Sequence, residues 1–494
     1  MPITRIVVTA YGLLFAALGV GLWIAPEPLA ARLAIAPIGI PGLSAIRGDL
    51  GGMFVVLSAL CLVGVWSRRR SLLVVAALAL CAVVTGRLIS LAATGSPAGL
   101  ALALPVEVGA IVALALHARS MGRPADPAPK TLRAVLVLFL LVAVLVAAGA
   151  AALRAPQVQD RLFAWAAQTL VAQDNAALLG DDALRVALCG TSSPLPSNRR
   201  AKACVAVMAG GKMYIVDSGP ESTERLMQWG VPLDRVAGVF LTHFHSDHIG
   251  DLPELNLQTW VAGRPGPLAV YGGPGVEQVV AGFNTALAQD QAYRTAHHTA
   301  RMLPPQTAPM QARPVAMTGP QPHRAVVYDD GAMRITAIET NHAPVSPAYA
   351  YRFDYRGRSV VITGDTTADP RLVEAARGAD ILFSEALNRD MVRALEGVAR
   401  RNGRDRVAHI MADIQSYHIS PEEAADTANR AGVKLLVLYH LIPAPDNFVL
   451  RGIFTRRMNE ARKGDWRLSD DGSLYTLPVG SKAYEAGRVP HLAL

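Results

Sequence analysis

The sequence predicts two joined parts: an N-terminal α-helical bundle that spans a membrane, and a C-terminal domain of strands and helices that carries a metal site. Three observations predict this. Apolar runs of membrane-spanning length crowd the first 153 residues. The segment Leu241-Thr-His-Phe-His-Ser-Asp-His-Ile-Gly250 places His243, His245, Asp247 and His248 within six positions. Further isolated histidines and aspartates each follow or end a β-branched, apolar run, so each belongs at the end of a strand.

The first part follows from composition. The chain has 494 residues, enough for two or three domains. Hydrophobic residues make up 51% and charged ones 17%, and mean hydropathy is +0.28. That is too apolar for an ordinary soluble enzyme of this length. Ile6 to Ala25 is uncharged and long enough to span. Leu43–Trp66, Leu72–Ala93, Leu100–Leu116 and Ala134–Leu153 follow it; the fourth run is short and carries Glu107. No small-residue cleavage site follows the first run and more spans come after it, which argues against a signal peptide.

Loop charge sets the orientation. Ser67-Arg-Arg-Arg-Ser71 is basic, and the loop from His117 to Arg133 holds Arg119, Arg123, Lys130 and Arg133 against Asp126; both belong in the cytoplasm. Thr94-Gly-Ser-Pro-Ala-Gly99 is uncharged and belongs outside. Five spans then put everything after Leu153 outside, which in a bacterial inner membrane is the periplasm. The net charge of +8 is partly these arginines, so it is not read as a nucleic-acid footprint. Within the spans, Arg87 with Glu107 and Arg47 with Asp49 are the expected charge pairs, holding helices together.

The organisation expected is a membrane domain over 1–153, a junction over 154–182, a metal-bearing domain over 183–480 and a tail over 481–494. In the junction, Arg161-Leu-Phe-Ala-Trp-Ala-Ala-Gln-Thr-Leu-Val171 has apolar residues at helical spacing, for a helix at the lipid surface or packed on the second domain.

The metal loop follows the run Arg235-Val-Ala-Gly-Val-Phe-Leu241, a buried strand opening into a ligand-bearing loop. Imidazoles and a carboxylate suit Zn²⁺ or a similar divalent ion. Four donors this close do not converge on one tetrahedral ion without strain. They serve two neighbouring ions, His243 and His245 facing one, Asp247 and His248 the other.

These residues and their order resemble the metallo-β-lactamase superfamily over about residues 183 to 478. The resemblance implies an αββα sandwich and two Zn²⁺, with other divalent ions possible. It aligns Asp217 of Tyr214-Ile-Val-Asp-Ser-Gly219 with the first acidic element, His342 with the isolated third histidine, Asp365 of Val361-Ile-Thr-Gly-Asp-Thr366 with the bridging aspartate, and His440 with the last histidine. One ion is then expected on His243, His245 and His342, the other on Asp247, His248 and His440, with Asp365 between them and Asp217 orienting a ligand. Within the superfamily, Cys189-Gly-Thr-Ser-Ser-Pro-Leu-Pro196 and Tyr417-His-Ile-Ser-Pro-Glu-Glu-Ala-Ala425 resemble the ribonuclease Z-like group, especially its arylsulfatase branch. A helix starts after Ser420, an N-cap, with Pro421 in its first turn and Glu423 three residues past the cap. Ser384-Glu-Ala386 resembles the element whose glutamate orients a histidine, here His418; the family usually has a histidine where Ser384 stands. Only 23 positions separate His342 from Asp365. True tRNA-processing members carry a long Gly- and Pro-rich arm there, and this chain has no room for one.

The expected activity is hydrolysis of a small anionic ester, sulfate or phosphate, by an integral membrane enzyme, with no nucleic-acid partner favoured. Asp247, His418 and Glu385 are the expected catalytic residues, His418 stabilising the developing anion or protonating the leaving group. A phosphodiesterase or ribonuclease Z-like nuclease is the alternative on the same site. A membrane sensor or transporter subunit with a non-catalytic metal domain is a third, disfavoured by the complete ligand set. Residues 1–120 also resemble a small family of bacterial four-helix membrane domains through Arg47-Gly-Asp-Leu-Gly-Gly52, which implies no activity.

Cys61 and Cys81 lie in spans as small apolar residues, and a disulfide between Cys189 and Cys204 is chemically allowed outside the cytoplasm. His409 is read as structural. His297, His298 and His323 are read as solvated, in a Pro- and Ala-rich loop or lid over about 286–326.

Overall fold

The computed structural model describes residues 2–26, 29, 33, 43–94, 100–121, 148–149, 152–172, 174–318 and 323–490. The chain divides into two compact units, Met1–Ala166 and Ala167–Leu494.

Among the described residues of the first unit, four helices are long and apolar enough to cross a membrane, with spanning windows Ile3–Ile24, Leu43–Trp66, Arg70–Leu88 and Ala103–Ser120. Val8, Phe15, Leu57, Cys61, Leu73 and Leu114 meet in their core. Ile3, Ile24, Trp66 and Val112 point outward, more than half exposed. Glycines let these helices approach closely. A Cβ on Gly19 would stand 2.7 Å from Val55 and 3.0 Å from the Gly51 carbonyl oxygen. Arg87 donates to Glu107 at 2.8 Å, the expected pair. Arg47 and Asp49 do not pair: they lie in one short π-helical turn, Ile46–Gly51, where positions two apart face different ways, and Arg47 Nε donates to the Trp23 carbonyl at 3.3 Å instead. The fifth apolar run, 134–153, lies almost wholly outside the described residues. The junction helix forms over Pro156–Ala172, with Phe163 and Trp165 largely exposed.

The second unit is a sandwich of two sheets. Its strands are β1 Ala183–Gly190, β2 Cys204–Ala209, β3 Lys212–Val216, β4 Val236–Phe240, β5 Leu268–Gly272, β6 Met310–Pro314, β7 Arg324–Asp329, β8 Met333–His342, β9 Val345–Tyr355, β10 Arg358–Ile362, β11 Ile381–Leu387, β12 Leu435–Ile442, β13 Asp465–Leu468, β14 Ser473–Pro478 and β15 Glu485–Arg488. One sheet runs β15-β14-β1-β2-β3-β4-β5-β6 and the other β13-β12-β11-β10-β9-β8-β7. Alternation within each strand builds three apolar layers. Val186, Val205, Tyr214 and Phe240 of the first sheet meet Ile335, Phe353, Val360 and Val437 of the second between the sheets. Ala187, Ala206 and Ile215 face the other way, onto helices bearing Leu226, Leu252 and Val276. Val361, Leu382 and Leu436 cover the far side, under Ala424, Ala425 and Ala428. The result is the expected αββα layering.

Cys189 and Cys204 are joined as a disulfide, with Cα atoms 5.0 Å apart across the β1–β2 ladder. The stretch 286–326 is not one loop. Helix Val276–His298 runs through its first part and β6 through its middle. The alanines and glutamines of Ala286-Leu-Ala-Gln-Asp-Gln-Ala292 are strong helix formers, and this local propensity outweighs the Pro- and Ala-rich composition. His297, His298 and His323 are exposed, as expected. Residues 485–488 of the expected tail form β15 on β14.

Buried Arg358 ties the chain's end to the second sheet. Its Nε donates to Asp380 at 2.9 Å, and its guanidinium also donates to the carbonyls of Pro478, Ser481 and Ala483. Arg358→Met should leave these acceptors and half of the Asp380 pairing unmet, at a cost of about 3 kcal/mol. A lower urea midpoint for the second unit's fluorescence is the expected result.

Candidate metal centre

Parallel strands place the polar residues. β3, β4 and β5 run parallel in one sheet and β10, β11 and β12 in the other. Their carboxyl ends open at one edge of the sandwich. Asp217 follows β3, the His243–His248 loop follows β4, and Asp365 follows β10, while Glu385 and His440 lie late in β11 and β12. His342 ends β8. In the β11–β12 ladder Glu385 pairs with Tyr439 and Ala386 with Leu441, so His440 is bulged out of register. Its φ is +43° and that of Asp217 is +59°. Such conformations cost a non-glycine residue free energy and tend to persist where they aim a functional side chain. Gly219 is required for a different reason: a Cβ there would sit 2.1 Å from the Asp247 carbonyl oxygen.

The structure brings all seven expected ligands together. Ligand atoms of His243, His245, His342 and Asp365 lie within 4.8 Å of one another, and so do those of Asp247, His248 and His440. A third overlapping group joins Asp365, Glu385 and His440. Asp365 stands between the first two. Its Oδ2 faces His243 Nε2 and His342 Nε2, each at 3.9 Å. Its Oδ1 faces His440 Nδ1 at 3.3 Å and His248 Nε2 at 3.4 Å. His440 Nε2 lies 3.2 Å from Asp247 Oδ2. His245 is the exposed member, so the site opens to solvent on its side.

Hydrogen bonds on the outer nitrogens fix which nitrogen faces inward. His248 Nδ1–H donates to Asp217 at 2.8 Å. His342 Nδ1–H donates to the Tyr417 carbonyl at 2.9 Å. Thr242 donates to Asp217 through both its N–H and its hydroxyl, each at 2.8 Å, so that hydroxyl accepts from His243 Nδ1–H at 3.1 Å. With their Nδ1 protons committed, these rings turn bare Nε2 lone pairs toward the centre. Nε2 of His248 and His342, Nδ1 of His440 and Oδ1 of Asp365 are buried without a hydrogen-bond partner. Buried polar atoms are normally paired. Four unpaired ones converging, all of ligand type, fit divalent ions.

Electrostatics agree for His243, His245 and His342 and oppose at His248. Burial pushes the pKa of His243, His245 and His342 down, favouring the neutral imidazole that a cation needs. Burial also acts to lower His248, but the carboxylates of Asp365, Asp217 and Asp247 outweigh it and hold its pKa well up. Asp365 goes the other way. Burial acts to raise it, yet the surrounding histidines hold its carboxyl well below the usual carboxylate range.

His418 sits at the rim, 3.9 Å from Asp365 Oδ2. Its Nδ1–H donates to both oxygens of Glu385, at 2.9 and 3.0 Å. Glu385 also accepts from the Thr366 N–H at 2.8 Å. The expected helix forms over Pro421–Ala431, with a capping box between Ser420 and Glu423. Burial lowers the His418 pKa, and burial with the Asp365 charge raises that of Glu385. His409 lies apart, exposed and 3.2 Å from Asp413. Two contributors were not read from sequence: Thr242, which the motif spells out ahead of His243, and the Tyr417 carbonyl, a backbone atom that leaves no signal in the sequence.

Residues 213–441 match the family model described as a beta-lactamase superfamily domain. The chain is 36% identical over 264 residues to ribonuclease Z of Mycolicibacterium paratuberculosis, covering 53% of this chain and 87% of that protein. It belongs to the metallo-β-lactamase superfamily, as a relative of ribonuclease Z. Ribonuclease Z of Mycolicibacterium gilvum is likewise 36% identical over 263 residues, 53% of this chain and 85% of the relative. Human tRNase Z, short form, aligns at 20% identity and a TM-score of 0.42, over 60% of this chain and 99% of that one. As a metallo-β-lactamase-fold hydrolase, the chain is expected to use a divalent metal, typically zinc.

Proposed function

We propose that this protein is a membrane-anchored hydrolase that uses two divalent metal ions to cleave small phosphodiesters. The observation that carries the reading is the pair of inward-facing donor groups with the two oxygens of Asp365 between them. His243, His245 and His342 would hold one ion, Asp247, His248 and His440 the other, and Asp365 both. Bound there, the ions supply Lewis acidity, acidifying a water near neutral pH and drawing charge from the ester's oxygens.

The chain's own residues do the rest. Asp217 and Thr242 hold His248 and His243 in one tautomer. Asp217→Asn should weaken metal binding about 10–100-fold, read by titration against a chromophoric chelator. Asp247 adds fixed negative charge beside His440. Glu385 holds His418 by Nδ1, which leaves Nε2 to hand a proton to the departing oxygen or to stabilise the developing anion.

The relatives at 36% identity are named as ribonucleases, which cleave phosphodiester bonds, and this favours phosphorus over sulfur. A small substrate is favoured by the tight turn at Ala343-Pro344 between β8 and β9, where the tRNA-processing arm would otherwise project. The second reading is an aryl sulfate, favoured by the motifs from Cys189 to Pro196 and Tyr417 to Ala425. Anchoring rests on the four apolar helices and the fifth run at 134–153. The Cys189–Cys204 disulfide supports an oxidising compartment, and so a periplasmic second unit.

The test uses the zinc-loaded full chain in detergent, with a chromogenic phosphodiester and a chromogenic aryl sulfate, and His245→Ala as control. Preference for the diester, lost in the control, is expected. Preference for the sulfate would move the assignment to an arylsulfatase.

A further inference from the structure

Between Glu385 and His418 the chain builds a helical hairpin, from Arg389–Arg401 through Asn402-Gly403 to Asp405–Asp413. None of the converging metal-site residues comes from it. Its inner positions Val392, Ala399, Ala408 and Met411 are buried. Its outer positions are apolar too: Leu395 is 44% exposed, Val398 48%, Val407 41% and Ile410 48%. Each is a pair three residues apart, so each pair shares one helix face. The tip carries Arg400, Arg401, Arg404 and Arg406 against Asp405 alone. Of these, among the described residues, only Arg400 forms an ion pair, with Glu396 at 2.8 Å.

Open aliphatic pairs beside unpaired guanidinium groups call for an occupant that is apolar and anionic at once. Large aliphatic side chains gain free energy on burial, and basic residues gain it near an anionic lipid surface. A bilayer with acidic headgroups supplies both. Among the described residues four helices are long and apolar enough to cross a membrane, and with the anchoring proposed above the chain tethers this unit to a bilayer. RNA fits less well: the hairpin has no Phe, Tyr or Trp for bases to stack on.

We propose that this hairpin docks on an anionic lipid surface. Its second helix leads through Ile414–Ser416 into Tyr417, whose carbonyl accepts from His342, and then into His418. Docking therefore holds this rim of the metal centre at the membrane. The proposal concerns where the site works and is independent of which ester bond it breaks.

The test uses the full chain in nanodiscs, with Cys61→Ser and Cys81→Ser so that one introduced thiol takes an environment-sensitive fluorophore. Val398→Cys and Val407→Cys report on the hairpin, and Val326→Cys, an exposed site on β7, is the control. In phosphatidylcholine with phosphatidylglycerol, hairpin labels should shift to the blue and be quenched about twofold or more by a lipid-borne nitroxide, while the control stays unchanged. High salt, or the combination Arg401→Gln, Arg404→Gln and Arg406→Gln, should reverse most of the quenching. Thermal melting matching the parent shows that the variants fold. An unquenched hairpin label overturns the proposal. Equal quenching in phosphatidylcholine alone overturns the anionic-surface claim. A blue shift in detergent that grows with protein concentration assigns the face to a second copy instead, and a shift only on adding RNA assigns it to nucleic acid.

Discussion

Asp365→Ala is expected to lower phosphodiester hydrolysis about a thousandfold. This side chain faces both donor groups, Oδ2 toward His243 and His342, Oδ1 toward His248 and His440. Among the described residues no other spans the two groups so directly. Its loss would take one carboxylate oxygen from each donor group, and the negative charge between them, away from the ions these groups would hold. A loss of about 4 kcal/mol of transition-state stabilisation corresponds to that factor. Asp365 is buried and its Oδ1 has no hydrogen-bond partner, so alanine leaves no orphaned donor against that oxygen, and the fold should survive. Turnover of a chromogenic diester, with elemental analysis of bound metal, checks both parts. A variant keeping a tenth of parental turnover would remove Asp365 from its assigned place.

The second large effect concerns the leaving group. His418→Ala should cost about 10²–10⁴-fold on a diester with an alkoxide leaving group, which needs a proton. On a nitrophenolate leaving group, which departs unprotonated, the loss should shrink to severalfold. Glu385 acts through His418 and is a positioning residue. Glu385→Gln should lower turnover less and displace the limb of the pH–rate profile that belongs to His418, because the amide holds Nδ1 without the carboxylate's charge. Equal losses with both leaving groups would exclude proton transfer by His418 and leave it a capping residue ahead of the Pro421–Ala431 helix.

Much of the centre was legible in the sequence because its signals are local. Histidine is scarce, and four donors after an apolar run mark a strand opening into a ligand loop. Asp217, His342, Asp365 and His440 each adjoin such a run, which fixes their edge of the sandwich without any knowledge of strand order. Crowding alone separates His243 and His245 from Asp247 and His248, while the places of His342, Asp365 and His440 in the two groups come from the superfamily resemblance. What lacked a signal was the scaffolding. Thr242 looks like any threonine until Asp217 and His243 meet on its hydroxyl. The bulge that throws His440 forward depends on pairing between β11 and β12 and has no composition of its own. The Arg47–Asp49 pair failed because helical geometry separates their side chains. The misreading near 286–298 came from weighting composition over the helix propensity of its alanines and glutamines. The hairpin at 389–413 was not anticipated, since its exposed aliphatic residues become meaningful only once burial is known.

One measurement tests the central claim most directly. Metal-stripped full-length protein is titrated with zinc while hydrolysis of a chromogenic phosphodiester is followed. The account predicts no turnover without metal and a rise that levels off at two ions per chain. Full activity in the stripped protein, or a plateau at one ion, would contradict it.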